Sequence, residues 1–310
     1  MSIFLECLSK NSFLQERNKQ SQQKIDDLKR EINSKISDEN ITVFVTGSLG
    51  RQEVGANSDL DFFIISLEKL SKLKEIQIFS KMIEINTCLK FPELSNDGEY
   101  LKVHYIDEML SIAGSPKDDE QNMFTERMLL FLESKCIFSD KNYDDIIEKI
   151  ISMYLRDSEG RVNFKPLFLV NDILRFWRTL CLNYEQTRHT EGRPWKKKNI
   201  NLKYSRMLTV FATIAYLVSM NDVSIITIKE MLQKTPLERL ATSLDTVDDG
   251  SLKEEFEHFL SFYARFLEAK EKNTLEDSEL DSNAIAFSDF FYKVLTHDKI
   301  KQEYKKYLVI

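Results

Sequence analysis

The sequence predicts an α/β domain built on a small mixed sheet, followed by an all-helical C-terminal domain. Runs rich in β-branched and aromatic residues, punctuated by turn signals, are confined to roughly residues 41–140. From Tyr143 onward almost every apolar pattern has helical spacing. Gly (8) and Pro (5) are scarce beside 21 Phe in 310 residues, which favours long helices around aromatic cores.

Composition narrows the class further. The chain is 42% apolar and 30% charged, a balance that excludes a wholly disordered protein. With 43 Lys+Arg against 50 Asp+Glu the net charge is -7, which argues against a surface that coats nucleic acid but leaves room for a local basic site. Cys7, Cys88, Cys136 and Cys181 are far apart and form no C-x-x-C pair, as expected of reduced thiols in a cytoplasmic protein. Residues Met1 to Leu5 are interrupted by Glu6 too soon for a signal peptide. No apolar run approaches the roughly 20 residues that span a bilayer.

In chain order, residues 1–40 read as a helical lead-in. Gln15 to Ser37 is polar except for Ile25, Leu28 and Ile32 at helical spacing, a narrow stripe suited to docking on a neighbouring domain. Residues 41–142 form the α/β domain. Ile41 to Thr46 is the first strand, broken by Gly47-Ser48-Leu49-Gly50, and Asp59 to Ile65 is the second. A helix is expected over 66–90, a third strand over Tyr100 to Ile106, a helix over Asp119 to Ser134, and a last short strand at Cys136–Phe138. Residues 143–310 form the helical domain, with a capping box at Thr235-Pro-Leu-Glu238 and an exposed acidic linker over 268–283.

One segment carries chemistry: Thr46-Gly-Ser-Leu-Gly-Arg-Gln-Glu53, then Ser58-Asp-Leu-Asp61 at the head of the second strand. Residues two apart in a strand share a face, so Asp59 and Asp61 present two carboxylates side by side. Such a pair repels itself unless divalent cations lie between, and hard oxygen ligands suit Mg²⁺ completed by water and phosphate. Gly47 permits close backbone approach, the turn's N–H groups and the Ser48 hydroxyl can hold phosphate oxygens, and Arg51 adds a permanent forked cation. A surface hairpin with Asp-capped turns is the competing reading, and it leaves this ordered coincidence unexplained.

The segment resembles the signature of the DNA polymerase β nucleotidyltransferase superfamily, Gly-Ser followed about ten residues later by Asp-x-Asp in a strand. Its finer form, carried by Gly47, Ser48, Gly50, Arg51, Glu53, Ser58, Asp59 and Asp61, is similar to the branch containing the bacterial uridylyltransferase that modifies the PII nitrogen-signalling protein. The resemblance covers about a third of the chain, residues 40–140. It implies transfer of a nucleoside monophosphate from an NTP such as ATP to an acceptor hydroxyl. Two Mg²⁺ ions would be held by Asp59 and Asp61, and the nucleotide would be held by Gly47, Ser48, Arg51 and Ser58. Arg51 could brace the phosphates or anchor the turn through Glu53. The family also carries a third carboxylate on a later strand. Glu99, Asp107 and Glu133 lie near the expected places, and none follows a plain apolar–acid–apolar pattern; Glu133 and Glu99 are the leading candidates.

A second cluster is basic. Arg193 to Arg206 holds six cations and no acid, and a helix starting near Asn199 would put Asn199, Lys203 and Arg206 on one face. Asn171, Arg175, Arg178 and Glu185 make a polar stripe on the preceding helix. Lys203 and Arg206 are therefore further candidates for nucleotide contact, against solvated helix faces as the alternative. His104 reads as a core or rim histidine. The acceptor is left open among a protein side chain, an RNA end and a small molecule, as is the oligomeric state. The rival function is a nucleotide-binding regulatory module with little turnover, as in a toxin–antitoxin or defence system.

Overall fold

The computed structural model describes residues 3–94, 101–159, 161, 164–190, 192, 195–275 and 278–300. The chain divides into two compact units, one of Glu16–Met153 and one that joins Met1–Gln15 to Tyr154–Ile310.

A short helix α1 (Ile3–Ser9) belongs to the second unit, and most of the long helix α2 (Ser12–Lys35) to the first. The sheet unit continues through β1 (Ile41–Val45), the single turn α3 (Gly47–Gly50), β2 (Phe62–Ser66) and α4 (Lys72–Cys88). It ends with β3 (Val103–Tyr105), α5 (Ile106–Ser111), α6 (Pro116–Glu120), α7 (Met123–Glu133), β4 (Lys135–Phe138) and α8 (Asp140–Tyr154). The four strands lie in the order β3-β2-β1-β4, with β1 antiparallel to both neighbours and β2 parallel to β3. This is the small mixed sheet that the residue patterns predict.

All five residues of β1 are buried, as a central strand covered on both faces requires. Ile41, Val43 and Val45 join Ile25, Leu28 and Ile32 of α2, Ile36 just beyond it, and Ile78, Met82 and Ile85 of α4 in one apolar cluster. The narrow stripe of α2 thus docks on the sheet of its own unit. On the other face Phe44 stacks on Phe63 with ring centroids 5.5 Å apart and tilts against Tyr143 of α8.

Element ends follow local chemistry. α4 starts only at Lys72, later than expected, because the Ser71 side chain accepts from Lys74 N and caps it. β3 is shorter than the expected strand: Ile106 already opens α5, and Tyr100 lies outside the described residues. The helix expected over 119–134 is split into α6 and α7 by Asn122 in the left-handed region, φ 62°. Between them a fully buried pair forms, with Arg127 donating to both carboxylate oxygens of Asp118 at 2.9 and 2.7 Å.

The second unit is helical: α9 (Leu167–Arg188), α10 (Trp195–Asn201), a π turn (Leu202–Arg206), α11 (Met207–Ser219), α12 (Ile225–Gln233), α13 (Pro236–Val247), α14 (Gly250–Glu271) and α15 (Ser278–Thr296). The capping box is present, Thr235 accepting from Glu238 N while the Glu238 carboxylate accepts from Thr235 N. The expected linker over 268–283 is mostly helix instead, because Ala269 and Leu280 are buried and hold the ends of α14 and α15. Residues 276–277 lie outside the described ones. The π turn is a second departure. It draws Tyr204 into the aromatic core, stacked on Phe266 at 4.7 Å, with its hydroxyl donating to Leu280 O at 2.8 Å. A π turn shifts the helical phase, so Asn199, Lys203 and Arg206 do not keep the spacing of one regular helix face. Among the described residues no helix is long and apolar enough to cross a membrane.

Candidate functional site

The antiparallel β1–β2 ladder extends one step beyond the strands. Val45 pairs with Phe62, and Thr46 N then donates to Asp61 O at 2.9 Å. Exposure alternates through the acidic pair: Asp59 and Asp61 are exposed, and Leu60 between them is buried at 4%. β2 itself begins only at Phe62, later than expected, so both aspartates precede it and reach solvent while buried Leu60 anchors the segment.

Gly47 has φ +64°, and a β-carbon on it would lie 2.5 Å from Asp61 Oδ2. Only glycine fits, on both conformational and steric grounds. The single turn that follows is closed by Gly50 N to Thr46 O at 3.2 Å and Arg51 N to Gly47 O at 3.0 Å. Its Ser48 side chain is nearly buried and makes no hydrogen bond among the described residues, so its hydroxyl is available beside the Gly47 backbone. Gly50 is required for packing: a β-carbon there would sit 1.7 Å from the carbonyl oxygen of Glu133 at the end of α7.

Arg51 turns inward. Its Nε donates to Glu53 Oε1 at 2.6 Å and its Nη1 to Glu133 Oε2 at 2.5 Å, and all three residues are buried. The guanidinium thereby ties the Gly-Ser turn to the end of α7. Ser58 also has a local role, its Oγ accepting from Gly55 N at 2.9 Å.

The fold thus brings Gly47, Ser48 and Asp61 together with Asp59 two residues away, and Glu133 joins them through Arg51. Lys203 and Arg206 belong to the helical unit, where Lys203 pairs with Asp281 at 2.6 Å. Glu99 and Arg193 lie outside the described residues. His104 is in the core, its Nδ1 2.6 Å from Glu126 Oε2 without the alignment of a hydrogen bond. Residue patterns did not show that Arg17, Asn18 and Ser21 of α2 hold the loop between the turn and the acidic pair. Their spacing on one helix face was the available signal.

The donor set fits a hard divalent cation. Two exposed carboxylates two positions apart, the second set against glycine backbone, leave coordination positions for water and phosphate oxygens. Among the described residues no group of three or more His, Cys, Asp or Glu side chains is gathered in metal-binding geometry, so any such ion would draw on ligands besides these two.

A mixed sheet with a Gly-Ser turn facing an Asp-x-Asp segment is the architecture of a nucleotidyl-transferring domain. Residues 25–124 match the family model described as Nucleotidyltransferase domain. The match covers about a third of the chain and is consistent with a nucleotidyltransferase domain of the polymerase β type, which supports nucleoside monophosphate transfer as its general chemistry. No curated protein and no solved structure matches the chain.

Proposed function

We propose that the protein uses Mg²⁺ to transfer a nucleoside monophosphate from an NTP to an acceptor hydroxyl, releasing pyrophosphate. The observation that carries this reading is the apposition of Gly47 to Asp61, which leaves no room for a side chain between turn and carboxylate. Asp59 and Asp61 would hold the divalent ions, which supply charge neutralisation at the phosphates and activation of the acceptor oxygen. The Gly47 backbone and Ser48 hydroxyl bind the β- and γ-phosphates, with Ser58 shaping the loop that leads to Asp59. Arg51 acts as the anchor of the turn through Glu53 and Glu133, which assigns Glu133 a positioning role and leaves Glu99 as the candidate third carboxylate. We place the reaction in the cytoplasm, in keeping with four free cysteines.

The acceptor is a protein side chain, an RNA end or a small molecule, and one experiment separates them. Purified protein is incubated with each α-³²P-labelled NTP and Mg²⁺, alone and with cell extract, and products are resolved as protein, RNA and small molecules. Label in one fraction, lost in Asp59→Ala/Asp61→Ala, establishes transfer and the acceptor class.

A second reading, a nucleotide-binding regulatory module with little turnover, is favoured by the engagement of Glu133 with Arg51. It predicts Mg²⁺-dependent NTP binding with no label in any fraction. It also predicts a biological effect that survives Asp59→Ala.

A further inference from the structure

We infer that the polar face of α2 is a clamp that positions the loop 52–58 and, through it, the acidic pair Asp59 and Asp61. The functional part of this inference rests on the nucleotide-transfer reading above.

Both backbone groups of Val54 are taken by α2. Val54 N donates to Ser21 Oγ at 2.8 Å, and Arg17 Nη1 donates to Val54 O at 3.0 Å. Ser21 is itself fixed, since its hydroxyl donates to Arg17 O at 2.7 Å and so must present a lone pair to Val54. One turn along the same face, Asn18 Nδ2 donates to Gln52 Oε1 at 2.9 Å, and Gln52 has left-handed backbone, φ 57°. Arg17, Ser21 and Val54 are 7%, 0% and 1% exposed, so these bonds are shielded from competing water.

The tether reaches the acidic pair through one short turn. Gly55, next to Val54, gives its N–H to Ser58 Oγ, and Ser58 N donates to Gly55 O at 3.2 Å. A β-carbon at Gly55 would lie 3.4 Å from Arg17 Nη1, so the loop runs at van der Waals distance from the guanidinium. Ala56 and Asn57 are exposed, leaving Val54 as the buried fixed point before Leu60. The clamp matters because Asp59 and Asp61 repel each other. A loose loop relieves that repulsion by letting Asp59 swing away, whereas a fixed one keeps both carboxylates in place before any ion or nucleotide arrives. The apolar stripe of α2, Ile25, Leu28 and Ile32, supplies separate attachment to the sheet, so the polar face can be altered while the helix stays docked.

The test uses the full chain carrying Ser21→Ala, Arg17→Gln, Arg17→Lys or the milder Asn18→Ala, with exposed Gln23→Ala as control. Hydrogen exchange over residues 52–58 is read beside steady-state transfer from labelled NTP. In Ser21→Ala and Arg17→Gln the loop exchanges faster by about tenfold, with exchange over 41–45 unchanged. The rate constant kcat falls by roughly 10–100-fold while KM for the NTP moves by less than about threefold. Arg17→Lys retains more turnover than Arg17→Gln, and Gln23→Ala behaves as wild type. Faster loop exchange with unchanged kcat overturns the positioning role, as does a loss of turnover that tracks general unfolding. If wild type transfers nothing, the nucleotide-transfer reading fails by itself. The clamp is then judged by exchange alone, and unchanged exchange at 52–58 in both variants overturns it.

Discussion

Gly47 and Asp61 touch as backbone to carboxylate: a β-carbon at residue 47 would sit 2.5 Å from Asp61 Oδ2, and the glycine has φ +64°. Gly47→Ala must therefore either move the carboxylate or flip the turn. Left-handed strain adds about 1 kcal/mol to the cost of the clash. The expected outcome is a folded protein with a melting temperature a few degrees lower and transfer activity reduced by about 100-fold or more. Thermal unfolding and the labelled-NTP assay check it, and wild-type turnover in Gly47→Ala would remove the apposition from the functional argument.

Glu133→Gln separates anchoring from chemistry. Removing one charge from the buried Arg51 pair leaves the guanidinium under-compensated, which typically costs about 3–5 kcal/mol, with Glu53 still present to soften the loss. A large fall in the urea midpoint is expected. A variant of unchanged stability with no turnover would instead make Glu133 the third catalytic carboxylate.

Asp118→Ala probes the pair that closes the α6–α7 corner. Its carboxylate accepts both Arg127 bonds and also Gly114 N at 2.9 Å, at zero exposure. Loss of the carboxylate strands a buried guanidinium, so destabilisation of about 3–5 kcal/mol is expected by urea titration. An apolar double variant, Asp118→Leu/Arg127→Met, should recover much of it, because the uncompensated charge is gone.

Alkaline pH should weaken the fold. Burial, with the Asp140 carboxylate adding to it, pushes the Cys136 thiol from 9.0 up to about 12. Burial also raises Tyr204 and Tyr216. Between pH 9 and 12 the unfolded chain has shed the Cys136 proton that the native state still holds. The unfolded state then binds fewer protons, and stability falls as pH rises. Half-buried Lys24, lowered by burial and by Arg17, acts in the opposite direction. Urea midpoints from pH 8 to 11 should decline more steeply in wild type than in Cys136→Ala, and equal slopes would count against the assignment. Below pH 9 Cys136 should resist alkylation while exposed Cys88 reacts.

The Gly-Ser turn and acidic pair were legible because their chemistry is local. Turn, strand head and carboxylate spacing all fall within sixteen residues, Thr46 to Asp61, and each residue type has a physical reason to stand where it does. The capping box at Thr235 was legible for the same reason. Glu133 was not: an acid at a helix end is equally suited to catalysis or to pairing, and its partner Arg51 lies 82 positions away. The phase of Lys203 and Arg206 depended on a π turn that exists because Tyr204 fills an aromatic core contributed by α14 and α15.

By itself the sequence determined the class of domain, the order of its strands, and the placement of the Gly-Ser turn and the Asp-x-Asp segment between the first two of them. These follow from backbone periodicity and short-range sterics. Only the tertiary structure decided that α2 docks on its own sheet and grips Val54, and that Arg51 is spent inward on Glu53 and Glu133. It also decided that Gly50 is a packing glycine. Those outcomes turn on long-range contacts, in which a polar or small residue takes its role from whatever the folded chain sets beside it.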